Sequence, residues 1–73
     1  MDIVTVYINK KAYNGYITVN AWHSRDQQYP LLWHQKYMGY TIPQIKKLLE
    51  VTIANLCDKY RYGDKYKIEY VTM

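Results

Sequence analysis

The residue types that most directly suggest a nucleophile, a base or a metal ligand in this 73-residue sequence are its lone serine, Ser24, its lone cysteine, Cys57, and its two histidines, His23 and His34. Nucleophilic catalysis needs a hydroxyl or thiol within hydrogen-bond reach of a base that is itself oriented by a third group. The chain offers one serine, one cysteine and two histidines on separate expected strands. Cys57 lies one helical turn after Ile53 on an apolar stripe, which predicts a buried and inert thiol. His23 and His34 would lie opposite one another if the strands carrying them pair, bringing two imidazoles together for a metal or a proton transfer. A third ligand is needed, Asp26 is the only acid nearby, and no Cys-x-x-Cys or His-Glu-x-x-His spacing is present. Three isolated glycines form no phosphate-cradling loop. The expectation is a non-enzymatic chain with no catalytic residue, no metal, no cofactor and no small-molecule substrate.

The aromatic set is more informative. Ten tyrosines, two tryptophans and no phenylalanine give rings that all carry a hydroxyl or an indole N–H, suited to a half-wet surface. Their spacing follows a hairpin. Asn14-Gly15 favours a type I′ turn, which predicts that Tyr13 faces Tyr16, Lys11 faces Thr18, Asn9 faces Asn20, Tyr7 faces Trp22 and Thr5 faces Ser24. The opposite side is then apolar, with Val4, Val6, Ile8 and Ala12 against Ile17, Val19 and Ala21, and Lys10 reaching outward. Tyr7, Asn9, Lys11, Tyr13, Tyr16, Thr18, Asn20 and Trp22 would form a contiguous surface of rings and amides. With one helix expected, nothing else in the sequence covers that face. The bland reading is that the rings protect the sheet by packing on one another.

The remaining elements position this ribbon. Ser24 to Pro30 lacks apolar periodicity and reads as a loop. A third strand is expected around Leu31 to Met38, with faces that its composition does not distinguish. Gly39 ends it, and Thr41 with Gln44 forms a capping-box pattern with Pro43 tolerated in the first turn. Ile45, Leu48, Leu49, Thr52, Ile53, Leu56, Cys57 and Tyr60 recur at helical spacing, and this stripe should cover the hairpin's apolar side. Gly63 is the expected terminator, and Tyr66, Ile68 and Tyr70 alternate with Lys67, Glu69 and Val71 in a last strand. The prediction is a single small α+β domain over residues 1–73, in the order β-β-β-α-β. An antiparallel sheet of three to four strands would carry one helix packed on one face.

The formal net charge is +4. Four bases and two acids lie in residues 1–40, six bases and four acids in 41–73, so no basic tail exists. Such a balance permits contact with nucleic acid, an acidic membrane surface or an acidic protein without concentrating the charge. The single cysteine cannot form an internal disulfide, and the alternating amino terminus is unlike an export signal. No apolar stretch approaches the roughly 20 residues needed to cross a bilayer. The expectation is a cytoplasmic protein without a membrane partner.

Three strands followed by a helix resemble the architecture of AP2-type and phage-integrase amino-terminal DNA-binding domains. The likeness covers roughly residues 3 to 60 and is closest at Tyr37-Met38-Gly39-Tyr40-Thr41, where strand passes into helix. It implies nucleic-acid binding through the sheet, with tyrosine and tryptophan against bases and sugars. Lys10, Lys11, Arg25 and Lys36 would neutralise phosphates. The alternative is a protein-binding regulator or inhibitor, of the kind phages and mobile elements encode as short proteins, docking through the same face. A homodimer formed through that face or by pairing edge strands would suit either reading.

Overall fold

The computed structural model describes residues 1–11, 15–25 and 33–72. Strands β1 (Asp2–Lys11), β2 (Tyr16–His23) and β3 (Trp33–Met38) precede helix α1 (Ile42–Lys59), and strand β4 (Tyr66–Thr72) follows it. They build one four-stranded sheet in the order β3-β2-β1-β4. The α+β class and the element order agree with the sequence reading, but the sheet is mixed and not antiparallel throughout. β1 pairs antiparallel with β2, and β2 with β3, whereas β1 and β4 run parallel. The connectivity requires this. Two hairpin reversals leave β3 pointing along β1, and the helix carries the chain back to the end where β1 starts. A strand entering there beside β1 must share its direction.

Alternation of β-branched and polar residues in β1 and β2 sets the core. Val4, Val6 and Ile8 from β1 and Ile17, Val19 and Ala21 from β2 are buried beneath Ile45, Leu49, Ile53 and Cys57 of α1. The four helical residues are spaced by four, and so stack along one face of the helix. Full burial of each large aliphatic side chain contributes roughly 1.5–3 kcal/mol. β3 and β4 line the margins of this core with half-buried Trp33, Tyr37, Tyr66, Ile68 and Tyr70. The β3 side that composition left unassigned is thereby settled: Trp33 and Tyr37 turn towards the helix, while residues 31 and 32 lie outside the described residues.

The hairpin register differs from the expected one by two residues. Lys11 pairs with Tyr16, Asn9 with Thr18, Tyr7 with Asn20 and Thr5 with Trp22. Ala12, Tyr13 and Asn14, on which the expected Asn14-Gly15 turn falls, lie outside the described residues. Gly15, directly before β2, has φ 69°, the left-handed conformation that longer hairpin connections often place before the returning strand. A slip of two preserves the period of alternation, so each described side chain keeps its expected face.

The helix begins as its sequence predicts. Gln44 N–H donates to the Thr41 hydroxyl oxygen at 3.4 Å, and Thr41 N–H donates to Gln44 Oε1 at 2.9 Å. It ends differently. Gly63 was the expected terminator, yet Arg61 takes the left-handed conformation, with φ 60°. Arg61 N–H donates to the Asp58 carbonyl at 3.1 Å and Tyr62 N–H to the Cys57 carbonyl at 2.8 Å. These two bonds are those of a Schellman motif with Tyr60 as the cap. The apolar stripe is also narrower than expected, since Leu48 and Tyr60 are 45% and 48% exposed.

Candidate binding face of the sheet

The side of the sheet away from α1 carries the predicted ring-and-amide surface. The strand pairings arrange it in rows. Tyr16 and Met38 form one row, and Asn9, Thr18 and Lys36 the next. Val71, Tyr7, Asn20 and His34 span all four strands, followed by Glu69, Thr5 and Trp22. Ile3 and Lys67 close the far end. Tyr7, Asn9, Tyr16, Thr18 and Asn20 are half-buried by their neighbours, and Trp22 is 43% exposed. Val6 and Val19, which alternate with them, are fully buried, so the ribbon is two-sided as its sequence indicates.

Contacts within this face fix several groups. The rings of Tyr7 and Trp22 meet edge to face, with centroids 5.8 Å apart and planes at 60°. His34 Nδ1 lies 2.6 Å from Asn20 Oδ1, and a proton on that nitrogen would be donated to the amide oxygen. The Thr18 hydroxyl donates to the Asn9 carbonyl at 3.4 Å. Lys36 holds its ammonium 5.2 Å from the centre of the Tyr16 ring, a cation–π arrangement that orients both groups.

The expected phosphate-neutralising bases whose side chains are described, Lys10, Arg25 and Lys36, separate. Lys36 stands on the open face. Arg25 lies beyond the end of β2, where its Nε is 2.9 Å from Asp2 Oδ2. Lys10 is exposed but pairs with Ile17, in the set that alternates away from the open face. The side chains of Lys11 and Tyr13 lie outside the described residues. Sequence reasoning missed Lys67, which the β1–β4 pairing brings onto the same face, and His34, considered there only for a metal or a proton transfer. Both follow from strict alternation once the partners of β3 and β4 are known.

The residues singled out for catalysis occupy other places. His23 is buried on the helix side, its Nδ1 accepting from Arg25 N–H at 3.1 Å, whereas His34 is on the open side. The expected juxtaposition of the two imidazoles fails because they face opposite ways across the sheet. The Ser24 hydroxyl accepts from Ile3 N–H at 3.0 Å and donates to Asp2 Oδ1 at 3.4 Å, tying β1 to the end of β2. Burial pushes the Cys57 thiol above its usual 9.0, and the nearby Asp2 carboxylate adds to the shift. Among the described residues no helix is long and apolar enough to cross a membrane. No protein-family model, curated protein or solved structure matches the chain, so the likeness to AP2-type and integrase domains stays one of element order.

Proposed function

We propose that this chain is a non-enzymatic binding module that takes nucleic acid on the open face of its sheet. One observation carries the reading. The rings and amides of Tyr7, Tyr16, Trp22, Asn9 and Asn20 occupy the two central strands, while Lys36 and Lys67 stand on the outer strands on either side. Rings at the centre provide stacking surfaces for bases, and ammonium groups at the margins meet the phosphates. The chain's net charge of +4 favours the encounter.

A second reading, a protein-binding regulator using the same face, is supported by its exposed apolar groups. Met38, Ile3 and Val71 are 70%, 38% and 39% exposed, and Glu69 dilutes the positive charge. Aromatic and apolar anchors of this kind suit a protein interface. Oligonucleotide binding followed by fluorescence anisotropy across a salt series tests the first reading. Engaged phosphates lower the logarithm of affinity by roughly 0.7–0.9 per contact for each logarithmic unit of salt. Absence of binding at about 50 mM salt rejects nucleic acid as the ligand and leaves the protein partner.

A further inference from the structure

Granting the nucleic-acid reading just given, we infer that the ligand is single-stranded, held along β2 between the Tyr7–Trp22 pair and Tyr16. The parallel strand β4 carries this inference. An α-helix or a two-stranded ribbon fits the roughly 12 Å major groove of duplex DNA. Strands lie about 4.8 Å apart, so the outer strands of a four-stranded sheet are separated by about 14 Å before any side chain is added. β1 and β2 are the inner pair here, flanked by β3 and β4. The sheet is too broad to lower its aromatic centre to the floor of a groove.

A single strand meets no such obstacle. Its bases are unstacked and turn their faces to any ring, and duplex bases do not. The chemistry along β2 suits it. Trp22 and Tyr16 lie six residues apart on one face, about 20 Å at strand rise, with Asn20 and Thr18 between them. Trp22 offers an exposed ring for stacking, with Tyr7 packed edge-on against it. Midway, the Asn20 amide with the neighbouring His34 imidazole presents donors and acceptors to a base edge. At the far end Lys36 sits over Tyr16, where a phosphate would meet the ammonium as a base reached the ring. The outer lysines, Lys36 and Lys67, allow the backbone to run along either margin of the aromatic centre. The structure favours neither ribose nor deoxyribose, so the test carries both.

The test compares fluorescein-labelled single strands of about 12 nucleotides, poly-deoxythymidine and polyuridine, with a DNA duplex of equal length, each at about 50 mM salt. The expected result is binding to at least one single strand that is tenfold or more tighter than to the duplex. Trp22→Ala should weaken it by roughly tenfold, since it removes the ring on which a base stacks. Trp22→Tyr should restore most of the loss, which a structural role for the indole would not produce. Lys36→Gln should flatten the salt dependence by about one phosphate contact. Circular dichroism shows that each variant retains its fold. Duplex binding as tight as single-strand binding, or tight single-strand binding that Trp22→Ala leaves unchanged, overturns the inference while nucleic-acid binding stands. Failure of all three oligonucleotides removes both.

Discussion

The ring of Tyr62 stacks on buried His23, with centroids 4.0 Å apart and planes inclined by 22°. The residue after left-handed Arg61 thus packs against the core under the end of β2. The chain can turn inward there only through the positive φ of Arg61, and a side chain in that conformation is strained against its own backbone. Arg61→Gly should therefore stabilise the fold by about 0.5–1 kcal/mol, after allowance for the looser unfolded chain. In a domain of this size each kcal/mol raises Tm by roughly 4–8 °C. Thermal melts of both forms check it, and a lower Tm for the glycine variant would contradict the assigned helix end.

Adjacent helical leucines should behave oppositely. Leu49 is fully buried and Leu48 is 45% exposed. Leu49→Ala should cost about 2–5 kcal/mol by leaving a cavity between helix and sheet. Leu48→Ala should change stability by about 0.5 kcal/mol or less. Urea unfolding of the two variants measures the contrast, and equal losses would mean that the helix is rotated about its axis.

The capping box gives a smaller, separate effect. Thr41→Ala removes the oxygen that accepts from Gln44 N–H and should cost about 1 kcal/mol, whereas Thr41→Ser should cost little. Denaturant midpoints distinguish them, because the serine keeps the bond and the alanine does not.

Alkali should destabilise the fold through groups that burial makes harder to ionise. Burial raises the phenol of Tyr70 above its usual 10.0, with Glu50 adding to the shift. Burial likewise raises Tyr66, followed by the influence of Cys57 and Asp64, and the Cys57 thiol rises above 9.0. Each group keeps its proton longer when folded than when unfolded. Above the unfolded value the native state binds more protons, so stability falls as pH rises from about 9 through about 10 and beyond. The contribution is fully present below pH 9. Urea midpoints between pH 8 and 11 should decline, and Tyr70→Phe should make that decline shallower. An unchanged slope in the variant would show that the Tyr70 phenol does not drive it.

Much of this was legible in the sequence because alternation is a strong signal. Val4, Val6, Ile8, Ile17 and Val19 could be placed under the helix, and Tyr7 and Trp22 opposite, without knowing the register. The register itself rested on Asn14-Gly15, and local turn preference does not decide how many residues the connection uses. The direction of β4 was available from connectivity, since an odd number of strands followed by a crossover leaves one orientation. Arg61 escaped notice because a glycine stood two residues beyond it, and composition favours the glycine. Leu48 looked like core because helical spacing alone assigns a broader stripe than one sheet can cover. Lys67 and His34 became candidates for the binding face only when β4 and β3 acquired partners.

The pairing of Asp2 with Tyr66 joins residues 64 positions apart in the chain, and its effect reaches beyond the finished sheet. β1 precedes β4 in the chain, so one of its edges waits in synthesis for β4. Until then a strand rich in valine and isoleucine offers unpaired amides to any neighbour. Contacts so distant in sequence form later than local ones, because the loop between them must close first. The interval between making β1 and capturing β4 is therefore the period in which nascent molecules are most exposed to one another.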